Sequence, residues 1–477
     1  MRTTFESRLN LAALLLLLAL PLGLAADDAA AVALPSASAE FLLRDSVRPV
    51  LFFGDDATAQ RMFTTLIETY TLSRFPGWTT TFRNVGWEGD KLLVPGLRGM
   101  SRDEDMRRDI ESFHPQMVIV NYGMNDARAG DAGLNFFLTN VNVLSRDLPR
   151  VGVYRAAFVT ANPEEGFDAG APAGNGDNAM LQKYAEGLKE RYPIGWKDGV
   201  DKVQAHPKGP EVPQPQDAIF VDVLNPMIAL IEAGRKAGVL SPDASAGDKT
   251  VRLMPDGVHP NWAGHFIMAS LILQGLHAPA VVSSATLDAA ARTTVSAEDC
   301  TIAWQDGGAG MVQFQRTDAA LPWPTPPDAD VAMKIPGFDP ATTLNRYELT
   351  VGGLKEGSYQ LSIDDVGVGS YSSADLAKGV NLGFLRAGPI YDQGQKLLKA
   401  VEDKNDAFFN RWRTVEVGPA PAAGMSAADM RKAEGDHANA VKAQLVDLDK
   451  VIAEDEAAIH ALAQPVAHVF KLTPVVR

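Results

Sequence analysis

Between residues 46 and 280 the chain alternates between two textures. Short, almost wholly apolar runs ("RPVLFF", "TTFRNV", "QMVIVNY", "GVYRAAFVT", "AIFVDVL") are separated by stretches whose apolar residues recur at helical spacing. The latter are "ATAQRMFTTLIETYTLSRF", "EDMRRDIESF", "LNFFLTNVNVLSRDL", "AMLQKYAEGLKERY" and "PMIALIEAGRKAG". Runs without polar alternation belong to strands buried on both faces, and strand–helix alternation delivers them to a parallel sheet. The pattern therefore predicts an α/β domain over 46–280 with helices on both sides of the sheet. Its last element, "NWAGHFIMASLILQGL", is apolar on most sides and is predicted to be a deeply packed helix. Residues 163–216, rich in Gly, Pro and Asp, read as a surface insertion near the mouth of the sheet.

From about residue 290 the period changes. "CTIAWQD", "MVQFQRT", "RYELTV" and "SYQLSID" alternate as half-buried strands do, and "YELTVGGLKEGSYQLSI" reads as a hairpin. These predict a small antiparallel β unit over 290–385. Over 386–477 two helical segments, 388–414 and 427–463, predict a helical hairpin. Val441, Leu445, Leu448, Ile452, Ile459 and Leu462 lie near heptad spacing, interrupted by Asp455, which also admits a short coiled coil. The closing "AHVFKLTPV" alternates again and reads as a strand returning to the β unit.

The N-terminus changes the picture of where such a protein works. "MRTTFESR" carries Arg2 and Arg8, and "LNLAALLLLLALPLGLAA" supplies an apolar core ending in small residues. Residues 1–26 therefore read as an export signal and 27–45 as a linker, so a periplasmic or extracellular location is expected, with no membrane span after cleavage. A net charge of −15 argues against a nucleic-acid partner. Cys300 is the only cysteine, so no internal disulfide and no Cys-based metal site can form. The histidines show no HExxH-type pairing, and no metal or other cofactor is expected. The sequence assigns no oligomeric state.

Candidate chemistry sits in four turns. Gly54-Asp55-Asp56 ends "VLFF", Asn84-Val85-Gly86 ends "TTFR", Gly123-Met124-Asn125-Asp126 ends "MVIVNY", and Asp256-Gly257-Val258-His259 precedes the last helix. The first three fall at the carboxyl ends of successive predicted strands, the edge where open α/β sheets bind ligands. Backbone N–H groups of residue 56 and Gly86, with the Asn125 amide, have the makings of an oxyanion hole. Asp256, three residues before His259, can hold one imidazole nitrogen while the other faces the crevice. His265 reads as a core or surface residue of its helix.

In this order the blocks "FGDDAT", "RNVGWEGD", "NYGMNDA" and "MPDGVHPNWAGH" resemble those of the SGNH hydrolases, also called GDSL-like esterases and lipases, over roughly residues 46–278. The resemblance implies a flavodoxin-like three-layer α/β/α fold and a Ser-His-Asp mechanism on esters, often acyl or acetyl groups of carbohydrates or lipids. It assigns Gly86 and Asn125 to the oxyanion hole, His259 to the base and Asp256 to its orienting acid. The ligand it implies is a small-molecule or glycan ester.

The departure is at the nucleophile position, which holds Asp56, followed by Ala57 where the family usually has Ile or Leu. A carboxylate has no proton for a histidine to remove, so the triad logic fails. Three readings follow. The scaffold has lost ordinary serine esterase activity and serves as a binding or structural protein, which residue chemistry favours. Alternatively, Asp56 acts as a nucleophile, or activates water together with His259. In the third, another hydroxyl such as Thr58 or Ser101 carries weak esterase activity.

Overall fold

The computed structural model describes residues 41–43, 49–92, 106, 108–165, 178–191, 217–241, 252–308, 310–418 and 425–475. The expected export signal lies outside these residues, as does most of the 163–216 insertion. Five strands, β1 (Val50–Gly54), β2 (Phe82–Asn84), β3 (Met117–Asn121), β4 (Arg155–Val159) and β5 (Asp217–Val221), form one sheet in the order β2-β1-β3-β4-β5. Every pairing in it is parallel. All five residues of β1 and of β3 are buried, as their unbroken apolar runs require.

Helices cover both faces: α1 (Asp56–Ala59), α2 (Met62–Arg74), α3 (Met124–Ala127), α4 (Gly130–Asp147), α5 (Asn178–Arg191), α6 (Leu224–Lys236) and α7 (Trp262–Gly275). This is a flavodoxin-like three-layer arrangement. α7 is buried along most of its length because it lies under a second apolar layer. Phe266 packs on Trp323 and Phe338, and the Trp323 indole donates to the Leu66 carbonyl at 3.0 Å.

The expected boundary at residue 46 comes too late. Phe41–Leu43 are buried, the Leu42 N–H donates to the Leu276 carbonyl at 3.0 Å, and the Phe41 ring lies against Phe75 and Trp78. Three consecutive large apolar residues are costly to leave in water, and the end of the linker docks for that reason.

The β region also differs from expectation. It starts at Val281, not at about 290, and comprises two sheets. One has the order β13-β10-β6-β7, from β6 (Val281–Asp288), β7 (Thr293–Glu298), β10 (Arg346–Gly352) and β13 (Val380–Asn381). The other has the order β12-β11-β14-β9-β8, from β8 (Cys300–Gln305), β9 (Val312–Asp318), β11 (Ser358–Ile363), β12 (Val366–Ser372) and β14 (His468–Pro474). The unit is not wholly antiparallel, since β6 and β10 run parallel. Nor is 347–363 a hairpin: β10 and β11 lie in different sheets, and the connection between them crosses from one to the other. The hairpin is β11–β12, closed by Asp364 and Asp365, both left-handed at φ 48° and 64°, as a tight two-residue turn requires.

The C-terminal helices α8 (Pro389–Phe409) and α9 (Ala427–Ala463), joined through a π-helical stretch Asn410–Glu416, pack against α2 and β2. Lys404 and Glu68, both buried, pair at 2.8 Å across this junction. Lys404 also donates to the Phe82 carbonyl, and Asn405 donates to Thr65 and Glu68. Of the expected heptad seam, Ile452 and Ile459 are buried. Among the described residues no helix is long and apolar enough to cross a membrane.

Removing one member of a buried ion pair strands the other's charge. Lys404→Met is expected to destabilise the protein by about 3–5 kcal/mol in denaturant unfolding, and the double variant Glu68→Met/Lys404→Met to recover most of that loss. Equal losses in the single and double variants would remove the pair from the account.

Candidate active site

The four turns converge at the carboxyl edge of the five-stranded sheet. Asp55 continues β1 by donating its N–H to the Asn121 carbonyl at 3.1 Å, and Asp56 opens α1. The turn is tight enough that a Cβ on Gly54 would sit 2.5 Å from the Asn121 oxygen, so only glycine fits there.

The Asp56 carboxylate has its two oxygens in different company. Oδ2 accepts from the Asn125 amide, in a short contact, and from the Gly89 N–H at 3.1 Å. Oδ1 faces His259 Nε2 at 3.4 Å. On the other side of the ring, His259 Nδ1 lies 2.6 Å from Asp256 Oδ2, while Asp256 Oδ1 accepts the N–H groups of Val258 and His259. Asp56, His259, Asp256 and Asn125 are thus brought into one hydrogen-bonded chain.

Gly86 is not in it. Its N–H donates to Asn84 Oδ1 at 2.8 Å. The N–H at Asp56 comes instead from Gly89, in the same "GWEGD" loop, whose second glycine was the signal in the sequence. Gly86 has a packing reason of its own, since a Cβ there would lie 2.4 Å from the Ala59 nitrogen.

Supporting residues fix the loops, and apart from Asp126 they carry no obvious sequence signature. Asp126 accepts the Leu92 N–H, and Tyr122 donates to Asp90 at 2.7 Å, which pins the 89–92 loop. Asn162 donates to the Val258 carbonyl at 3.0 Å, and the Glu165 N–H to the Gly257 carbonyl at 2.9 Å, which positions the histidine loop from the end of β4. Thr58 is fully buried, with its hydroxyl 3.5 Å from Asn121 Oδ1, so it does not face the crevice. Ser101 lies outside the described residues. His265 is a core residue: it is buried, stacked on Phe63 and bonded to Gln60, and burial pushes its pKa down to about 3, so it stays neutral.

Electrostatics follow from this arrangement. The Asp56 hydrogen bond is the main cause that pushes His259 up to about 9. Burial opposes it and Asp256 adds to it. Burial alone would raise Asp56, but His259, Asn125 and Gly89 outweigh it and hold the carboxyl below its ordinary value. Near neutral pH the site is an imidazolium between two carboxylates. Asp55, just beneath, is pushed far up by burial and by the charges of Asp56, Asp126 and Asp90. Burial likewise lifts Asp126 to about 7. Among the described residues no cluster of His, Cys, Asp and Glu is arranged to hold a metal ion.

Beside the site a cleft of about 500 Å³ opens between the loop after β2 and the π-helical stretch that follows α8. Ala59, Gly86, Trp87 and Glu88 line one wall, and Phe409, Arg413, Thr414 and Gly418 the other. Arg413 lies over the Trp87 ring at 3.4 Å.

Residues 50–272 match the profile of the GDSL-like lipase/acylhydrolase family. No curated protein matches the sequence. Among solved structures the chain is similar to a gut microbial diltiazem-metabolizing enzyme, at 18% identity and a TM-score of 0.67. That match covers 90% of this chain and 98% of the other, so the fold is shared through the β region and the C-terminal helices. It is also similar to an acetylxylan esterase from Geobacillus stearothermophilus, at 18% identity and a TM-score of 0.32, covering 48% of this chain and 94% of that one.

A histidine whose pKa is raised on folding, from an ordinary 6.5 to about 9, favours the folded state below pH 6.5, and this stabilisation is lost as pH rises through 9. Asp56→Asn removes the main cause. The fall in melting temperature between pH 6.5 and 9 is expected to be smaller in Asp56→Asn than in the wild type, and parallel curves would contradict the pairing.

Proposed function

Residues 50–272 are a GDSL-like lipase/acylhydrolase domain, and from that premise we propose that Asp56 stands where the family carries its serine, so that the chain lacks ordinary serine esterase activity and serves as a binding protein for small-molecule or glycan esters. The observation that supports this reading is the engagement of the Asp56 carboxylate by Asn125, Gly89 and His259. The donors suited to an oxyanion already hold a charged oxygen. His259, held protonated, is not available as a general base. A tetrahedral oxyanion about 4 Å from a fixed carboxylate would meet a repulsion of roughly 4 kcal/mol at an effective dielectric of 20, on the order of a thousandfold in rate.

The N-terminal segment supports export, to the periplasm or beyond the cell. The second reading is altered chemistry at the same carboxylate. It is favoured by the differing company of the two Asp56 oxygens.

On small acetyl esters the wild type is expected to stay at background. Asp56→Ser is expected to exceed it by on the order of a hundredfold, because a hydroxyl restores a proton for His259 to accept, and Asp56→Ser/His259→Gln to return to background. Wild-type turnover that depends on His259 would overturn the reading.

A further inference from the structure

We propose that Asp56 is a nucleophile toward saturated carbon. Its Oδ1 attacks a carbon whose leaving group departs as a stable anion, and His259 then directs water onto the Asp56 carboxyl carbon while Asn125 and Gly89 hold Oδ2. This rests on the second of the two readings above, and gives that site a substrate class.

The division of labour is written in the contacts. Asn125 and the Gly89 N–H both bind Oδ2, which fixes the carboxylate plane without occupying Oδ1. Oδ1 has the longer contact, 3.4 Å to His259 Nε2, and the Asp56 and His259 side chains keep 17% and 38% of their surface in solvent. A carboxylate is a weak partner for an ester carbonyl but a competent nucleophile at an alkyl or glycosyl carbon.

The same distance sets the leaving group. An in-line displacement expels it on the far side of the attacked carbon, and glycosidases that protonate it from a second group place that group about 5–5.5 Å from the nucleophile. Nε2 at 3.4 Å from Oδ1 is on the near side and too close. Leaving groups that need a proton, such as the alkoxide of an ordinary glycoside, are disfavoured. Halide, and other groups stable as anions, are not.

In the first step an Oδ1 lone pair forms the O–C bond, the carbon–leaving-group bond breaks, and the electron pair departs with the anion, leaving an alkyl ester of Asp56. Esterification removes the carboxylate oxygen that accepts the His259 hydrogen bond, the main cause that keeps the ring protonated, and the imidazolium releases its proton to solvent. In the second step the neutral Nε2 takes a proton from water as its oxygen adds to the Asp56 carboxyl carbon. The charge that develops falls on Oδ2, between the donors already placed there. Collapse expels the alcohol with the original Oδ1, protonated by His259, and the remaining proton of the added water passes from the new carboxyl group to His259, which restores the carboxylate and the imidazolium. In sum, R–X and water give R–OH, X⁻ and H⁺. Asp256 acts throughout as a positioning residue for the ring.

The test is a single turnover with enzyme in excess, in water enriched in the heavy oxygen isotope, using a primary alkyl bromide and a glycosyl fluoride as probes. The expected result is heavy oxygen in the peptide containing Asp56, not in the released alcohol. His259→Gln, checked for folding by circular dichroism, is expected to accumulate the ester on that peptide, Asp256→Asn to slow its breakdown, and Asp56→Asn to form none. Heavy oxygen found only in the alcohol, or adducts spread over surface carboxylates without preference for Asp56, would overturn the inference. The reading that serine chemistry is absent would survive either result, since it falls only if the wild type turns over acetyl esters through His259.

Discussion

Four separate stretches of chain meet on the carboxylate of Asp56. Its own turn leaves β1, Gly89 comes from the loop after β2, Asn125 from the first turn of α3, and His259 from the loop before α7. Backbone bonds join neighbouring pairs of these segments, Trp87 N–H to the Gly54 carbonyl and Asp55 N–H to the Asn121 carbonyl, and the hydrogen bonds to one charged group bring all four tips together. Each of those bonds stabilises the ionised form, and the ionised form in turn keeps His259 charged. The site is therefore a closed electrostatic unit, with the protonation of one member dependent on the charge of the next.

Much of this was legible in sequence, because strong local signals and the fold agreed. Unbroken apolar runs such as "VLFF" and "MVIVN" can hardly be other than doubly covered strands, and their order placed three of the turns on one edge. Asp256 and His259 are close enough in sequence that their pairing is nearly a local property. Gly86 and Gly89 were not separable in this way. Both sit in one loop, and which N–H reaches Asp56 depends on Asn84 turning its side chain to take the Gly86 N–H. The bracing residue Asn162 acts on a loop far away in sequence, and nothing in its neighbourhood announces the contact, while Asp126 lies in a turn already singled out but its hold on the Leu92 N–H is not a local property. The β region failed for a related reason. Alternation identifies strands, but it does not say which sheet a strand joins, and the five-residue connection after β10 looked like a hairpin loop while serving as a crossing between sheets.

The C-terminal helices are part of the same body as the α/β domain. Lys404 and Asn405 reach into α2 and satisfy Glu68 and Thr65, groups that would otherwise be buried without partners. Arg83 on β2 pairs with Glu456 of α9 at 2.6 Å. α2 is buried on nearly every side because of this, which explains why a helix next to the site carries so few charges. The helices also supply one wall of the cleft beside Gly86, so the surface next to the site is shaped by residues more than three hundred positions away in the chain.

The position of β14 has a consequence for how the protein is made. This strand pairs with β9 on one side and β11 on the other, so it fills the middle of its sheet. Among the described residues it is also the strand furthest along the chain. Until it emerges from the ribosome, β9 and β11 have no ladder between them and their inward side chains have no complete layer to pack into. Non-local pairing of this kind forms late, after the chain ends have been brought together. The β region therefore cannot close until β14 has been made, almost two hundred residues after β6, and only then is this part of the molecule committed to its final shape.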